Sequence, residues 1–442
     1  MTGKVGFVSL GCPKALVDSE QILTELAAAG YETADTYADA QVVVINTCGF
    51  VDAAIAESIE AIEEALDGCG QVVVTGCLGA HKDELEARFP ELLSVSGPQD
   101  PQPVLQAVQS YLPQVEPVEH YHLGPAGVKL TPPHYAYLKV SEGCNHTCSF
   151  CIIPSMRGKL RSRPIDDVLA EADRLAAAGV QELLVIAQDT SAYGLDLRYA
   201  TSRYGDRELA SNLQTLCVEL GARFPWVRLH YVYPYPHIDK LLPLMADGTL
   251  LPYLDVPLQH ADPGILKAMR RPAAVENTLE RLLAWRDICP DITVRSTFIV
   301  GFPGETEREF GALLEFLETA QLDRVGCFAY SDVDGAAANA LPGEVPEDIK
   351  RDRLEILMSV QEEISAAKLA RQVGRDVEII VDAVDAGSAT ARTRGDAPEV
   401  DGIVQVTGAE GLQPGMRTWA HVVAADAHDL HAEHVGNPVK ID

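Results

Sequence analysis

Positive charge is scarce in this chain: 35 Lys and Arg stand against 65 Asp and Glu, a net charge of -30 over 442 residues. That deficit excludes a nonspecific grip on phosphate backbones or anionic lipid, which both need clustered cations, so no direct tight nucleic-acid binding is expected. Long apolar runs are missing too. No stretch approaches the ~20 residues that cross a bilayer, which excludes a spanning helix and leaves no membrane contact to expect. Met1-Thr2-Gly3-Lys4 runs straight into a strand-like segment, with nothing resembling an export signal. Internal repeats and low-complexity tracts are lacking as well. Without an export signal, the ten cysteines point to metal or catalytic use in a reducing compartment, the cytoplasm, and not to a disulfide framework. The length suits two or three domains with substantial cores.

What is there centres on Gly143-Cys144-Asn145-His146-Thr147-Cys148-Ser149-Phe150-Cys151, with cysteines at spacing CxxxCxxC after an apolar run from Tyr135 to Val140. Three thiolates in one tight loop can ligate three irons of a cubane cluster and leave the fourth open. An open position distinguishes a catalytic metal site from a closed structural one. The spacing also admits a zinc knuckle or a redox loop. Zinc would want a fourth Cys or His close by, and His146 lies so near both cysteines that it would have difficulty turning to the same ion.

The first ~125 residues alternate strand and helix patterns. Val5–Leu10, Gln41–Asn46 and Gln71–Thr75 are short β-branched runs suited to strands buried on both faces, with helical periodicity over Asp18–Ala29 and Ala53–Leu66. This is a doubly wound α/β pattern. Cys12, Cys48 and Cys77 each come just past the end of a strand, each beside a glycine. Ligands gather at the carboxyl ends of such strands, and neighbouring strands lie ~4.8 Å apart, so the three thiols are placed to share one metal site. Three independent core cysteines are the alternative. Cys69 precedes its strand and belongs at the opposite edge.

A proline-rich linker is expected across 113–133. Strand candidates then follow at 135–140, 182–187, 227–233, 253–258, 293–300 and 324–330. Six βα units are fewer than the eight of a closed TIM barrel, so an open, partial barrel is expected. Gln188-Asp189-Thr190, Gln259-His260, Gly301 to Glu305 and Ser331-Asp332 all fall at its active rim with the cysteine loop. Turns and caps explain any one of them; together they fit a ligand-lined mouth. The basic run Arg157 to Arg163 is either a solvated face or a carboxylate holder. A charged helix of about 25 residues from Glu347 precedes short alternating strands at Val377–Val381, Thr390–Arg394, Ile403–Val406 and Thr418–Val423. These suggest a small antiparallel barrel. The expected domains are 1–125, 126–370 and 371–442.

CxxxCxxC with Phe150 before the last cysteine resembles the signature of radical S-adenosylmethionine (SAM) enzymes. Joined to an N-terminal α/β domain with scattered cysteines and a terminal barrel similar to the RNA-associated TRAM domain, the chain resembles the radical SAM methylthiotransferase family over nearly its whole length. That resemblance implies two 4Fe–4S clusters, one on Cys12, Cys48 and Cys77 and one on Cys144, Cys148 and Cys151. It implies SAM on the open iron of the second cluster, a radical that removes hydrogen from a C–H bond, and an electron donor such as flavodoxin or ferredoxin. With Phe150 in the signature, Gln188, Asp189, Thr190 and Gly301 are the expected SAM contacts, from their place at the rim. Ser9 to Lys14, Leu16 to Glu20, Ala187 to Thr190 and Asp255 to His260 look like the branch that methylthiolates the β-carbon of an aspartate in the twelfth small-subunit ribosomal protein. That branch commonly has Asn where this chain has Ala15, a change that should not touch iron ligation. A sibling acting on tRNA adenosine beside the anticodon, and a non-catalytic iron–sulfur protein binding the ribosome, stay open.

Charge favours the protein substrate. Residues 375–442 hold 12 acids against 5 bases, 1–125 hold 19 against 4, and the middle 34 against 26. A tRNA grip needs cations that the terminal barrel lacks. Asp396, Glu399 and Asp401 are therefore expected to dock a basic protein loop.

Overall fold

The computed structural model describes residues 3–98, 100–113, 124–271 and 277–436. Strands β1 (Lys4–Ser9), β2 (Glu32–Thr33), β3 (Val42–Thr47), β4 (Val72–Gly76) and β5 (Ser94–Val95) form a parallel sheet in the order β2-β1-β3-β4-β5. β3 and β4 are buried at every position because helices cover both faces. Helices Pro13–Ala28 and Gln102–Tyr111 pack Ile22, Leu26, Val104 and Val108 on one side. Helix Asp52–Gly68 packs Ala61, Ile62 and Ala65 on the other. β2 and β5 have two residues each, too few to show a period in sequence. From β1 the chain runs outward to β2 and then returns to β3 on the other side, so the topological switch lies between β1 and β3, a binding position in open α/β sheets. Part of the expected linker, 114–123, lies outside the described residues.

The second unit begins with β6 (Tyr135–Lys139). A short antiparallel pair, β7 (Ser141–Glu142) with β8 (Arg161–Ser162), brackets the cysteine loop. After β9 (Glu182–Ile186) comes an unexpected hairpin, β10 (Thr201–Tyr204) and β11 (Arg207–Ala210), whose only local signal is the two-residue turn Gly205-Asp206. β12 (Trp226–Leu229), β13 (Tyr253–Asp255), β14 (Thr293–Val300) and β15 (Arg324–Ala329) complete the series. The parallel order β15-β14-β13-β12-β9-β6 is the expected open barrel of six strands. Ala136, Leu138 and Val140 point to the surrounding helices, while Tyr135 and Tyr137 point inward with Leu184 and Ile186. Leu16 and Val17 of the first domain join that inner group, so helix Pro13–Ala28 leans on the barrel interior.

Helix Glu347–Ala370 follows, inserting Leu357 and Ile364 into the main core. β16 (Asp376–Asp385), β17 (Ser388–Thr393), β18 (Val404–Thr407), β19 (Arg417–Ala425) and β20 (Leu430–His434) then close a barrel in the order β16-β17-β18-β20-β19. Its pairings are antiparallel except β18 with β20, and β20 is the strand the alternation did not reveal. Alternate residues fill it, among them Ile379, Val381, Ala391, Val406, Ala420 and Val422.

This terminal barrel sits against the amino ends of the larger barrel's strands, opposite the cysteine loop. Buried Glu182, at the start of β9, accepts from Arg228 Nε at 2.8 Å and is ion-paired with Arg392 at 2.6 Å, while Arg392 also holds Asp382 at 2.8 Å. The seat corrects the docking expectation. Asp396 pairs with Arg324, Asp401 with Arg295 at 3.4 Å and with the Tyr253 hydroxyl at 2.7 Å, and Glu399 takes the Tyr135 hydroxyl at 3.0 Å. Asp396 and Asp401 are spent inside the molecule, while Glu399 stays exposed beside Tyr135. Arginines of distant strands claim the two aspartates, and no sequence spacing shows that.

Candidate active site between two cysteine triads

Cys12, Cys48 and Cys77 follow β1, β3 and β4 and come together at one sheet edge around the switch point. A Cβ on Gly11, which has φ +99°, would stand 3.6 Å from Cys48 Sγ. Gly76, at φ +95°, is pressed against Asn46 and the Thr47 backbone, so only glycine fits the turn into Cys77. Cys12 precedes the helix Pro13–Ala28. Burial pushes its thiol up, but Lys14, the N–H groups of Ala15 and Lys14, and Arg157 outweigh that and hold it below its ordinary value. Burial raises the Cys77 thiol against the pull of Arg157, and the neighbouring Cys12 and Cys48 raise it further. Cys69 lies at the other edge, donating its thiol to the Ala40 carbonyl at 3.2 Å.

The second triad hangs from β7. Burial pushes Cys144 up to about 11 and Cys151 to about 12, with Cys148 raising both further and Cys144 adding to Cys151. His146 is turned away from them, as expected. Its Nε2 is hydrogen-bonded to Asp189 at 2.9 Å and its ring stacks on Tyr233 at 4.4 Å. Among the described residues no three His, Cys, Asp or Glu gather around a single-ion position; in a cubane each thiolate meets its own iron.

The two triads face each other. Cys77 packs in one apolar group with Ile152, Met156, Val333 and Ala336, and Ile152 directly follows Cys151. Arg157, 3% exposed, spans the gap: Nε donates to Cys77 Sγ at 3.2 Å, Nη2 to Asp18 at 3.1 Å and Nη1 to Glu142 at 3.0 Å. Lys139 also pairs with both carboxylates. Burial raises Glu142, but Lys139 and Arg157 outweigh it and hold the carboxyl at about 2. Arg157 is thus no solvated charge. It is a buried bridge between domains, and only its place beside the cysteine loop hinted at a role. Lys14 went unnoticed too, hidden inside a family motif.

The rim residues divide. Gln188 donates to Glu142 at 2.7 Å and keeps a buried Oε1 with no partner among the described residues, an acceptor free for a ligand. Asp189 is tied to His146 and Ser191 beside the loop. Thr190 is fully buried, its hydroxyl donating to the His230 carbonyl at 2.6 Å, so it fixes the strand end. Phe150 packs with Met269, Phe302 and Tyr330 under the loop. The absent Cβ of Gly301, at φ +70°, faces the Lys350 side chain of helix Glu347–Ala370, and its N–H donates to Glu305 at 3.0 Å. Its glycine serves that packing. Arg271 was missed by sequence reasoning: it donates to the Pro257 carbonyl, lies over the Tyr233 ring at 4.3 Å and approaches Cys148 Sγ at 3.8 Å.

Comparison with known proteins bears on this arrangement. The Radical SAM superfamily model matches residues 138–317, the uncharacterized protein family UPF0004 model residues 4–97, and the TRAM domain model residues 373–435. The chain is 59% identical over 97% of its length, and 97% of the relative's, to the ribosomal protein uS12 methylthiotransferase RimO of Methylobacillus flagellatus. It is 57% identical to RimO of Azoarcus sp., covering 98% of each chain. The chain belongs to the RimO family. Membership makes it a radical SAM methylthiotransferase, in a family whose chemistry uses SAM and a 4Fe–4S cluster. Among solved structures, the radical SAM methyltransferase TsrM from Kitasatospora setae matches with TM-score 0.51 at 15% identity, over 74% of this chain and 75% of that one, a likeness of fold.

Proposed function

We propose that this RimO-family enzyme replaces a hydrogen on the β-carbon of an aspartate in ribosomal protein uS12 by a methylthio group. The observation that carries it is the facing of the triads across one apolar cluster that holds both Cys77 and Ile152, the neighbour of Cys151. Cys144, Cys148 and Cys151 would hold the SAM-binding 4Fe–4S cluster, and Cys12, Cys48 and Cys77 a second one that presents sulfur. When bound, these groups supply a hydrogen-abstracting radical and the sulfur that replaces the lost hydrogen. The chain's own residues do the rest. Gln188, Asp189 and Arg271 border the second triad, where the free Gln188 Oε1 suits an ammonium and Arg271 a carboxylate, the two groups of an amino-acid ligand. Met156, Val333 and Ala336 exclude water where a radical must survive. Electrons come from a small donor protein such as flavodoxin or ferredoxin, and a ribosomal substrate places the reaction in the cytoplasm. Among the described residues no helix is long and apolar enough to cross a membrane. We place the domain boundaries near 125 and 370.

The test separates the triads. Replacing Cys144, Cys148 and Cys151 by Ala should halve the iron content and abolish reductive SAM cleavage. The variant lacking Cys12, Cys48 and Cys77 should still cleave SAM yet form no methylthiolated uS12. Full product from that variant would remove the first triad from the chemistry. Modified nucleoside in place of modified protein would remove uS12.

A further inference from the structure

Lys14 breaks two local rules at once. It stands in the first turn of helix Pro13–Ala28, where the positive end of the helix dipole disfavours a cation. It is also 8% exposed, yet among the described residues its ammonium has no carboxylate partner. Nζ instead sits 3.1 Å from the centre of the Tyr231 ring. A buried charge without a counter-charge is costly, and a cation–π contact offsets part of that cost. The nearby acids are already taken: Asp18 and Glu142 by Lys139 and Arg157, and Asp255 by Arg295 at 3.2 Å.

The place of this charge is fixed from both sides. Lys14 lies two residues past Cys12, and Tyr231 lies just past the carboxyl end of β12, on the rim that carries the second triad. Tyr231 has φ +56°, a conformation that non-glycine residues hold only when the surroundings impose it. Its N–H donates to Asp255 at 3.2 Å and its carbonyl accepts the Thr190 N–H at 3.0 Å, which hold the ring under the ammonium. A buried cation without a carboxylate partner among the described residues, at the junction of two cofactor sites, is arranged to receive an anion.

We propose that Lys14 Nζ receives the side-chain carboxylate of the substrate aspartate and so presents the adjacent β-carbon to the two triads. This assignment rests on the functional reading above. The iron-loaded enzyme would be titrated by calorimetry with two peptides spanning the uS12 target loop, one carrying Asp and one Asn at the target position. The wild type should prefer Asp on the order of tenfold or more. K14M should bind both alike, and K14R should restore part of the preference. An undiminished Asp preference in K14M overturns the assignment, as does a wild type that binds both peptides equally; the latter comparison stands even if K14M does not load iron. Absence of methylthiolated uS12 from the wild type overturns the functional reading and this assignment together, whereas product with K14M selectivity intact removes Lys14 alone.

Discussion

Arg157 ties a thiol and two carboxylates from two domains with one guanidinium, and few substitutions should be felt so widely. Arg157→Leu leaves Asp18 and Glu142 with Lys139 alone in a buried site, at a cost of about 3–5 kcal/mol. Thermal unfolding measures it, and Arg157→Lys should recover only part, since an ammonium cannot fork to three partners. Gly301 is a second residue with a close, fixed neighbour. A Cβ there meets Lys350 Cγ at a positive φ, so Gly301→Ala should lose about 1–3 kcal/mol by both strain and overlap. Lys350→Ala in the same chain should return the overlap part only. A Gly301→Ala enzyme as stable as wild type would show that helix Glu347–Ala370 yields freely.

Among the elements, the terminal barrel depends on its polar seat. Reversing Asp396 and Asp401 to Lys sets cations against Arg324 and Arg295, so the variant should unfold its terminal barrel early in a denaturant series instead of showing a raised KM for the protein substrate. Acid acts on the same seat. Burial raises Asp382 and Glu182, but His134 and Arg392 for the first, and Arg392 and Arg228 for the second, hold both below the ordinary carboxylate range. A carboxyl depressed in the folded state stabilises it above the unfolded value of about 4 and loses that contribution as pH falls through its own lower value. Stability should therefore drop below about pH 4, and less steeply in a Glu182→Gln, Asp382→Asn variant whose baseline is already lower. Circular dichroism melts across pH check this.

For the whole molecule, the acidic surface lies elsewhere than the terminal loop. Helix Asp52–Gly68 leaves Glu57, Glu60 and Glu64 exposed on the domain richest in net negative charge. A basic ribosomal protein would be steered by this field, and salt should weaken the encounter. Reversing these three to Lys should raise KM several-fold with kcat little changed, and the salt dependence should flatten. An unchanged KM would mean that long-range charge does not guide the substrate.

The sequence by itself determined both cysteine triads, the doubly wound first sheet, the six-stranded open barrel and the terminal barrel. Each shows in local signals: short β-branched runs, spacing within one loop, a period of two. Spacing also placed Cys69 at the opposite edge, where its thiol donates to the Ala40 carbonyl. Only the tertiary structure decided what the charges do. Arg157 reads as either solvated or a carboxylate holder and Asp396 as part of a surface dock, yet one is buried against Cys77 and the other against Arg324, because their partners lie 80 and 72 residues away in the chain. Burial and pairing of a charge depend on which surfaces meet, and no local period records that. The same holds for Lys14. Its sequence neighbours say it sits at a helix start; only the barrel behind Tyr231 makes it a buried cation with no carboxylate partner among the described residues.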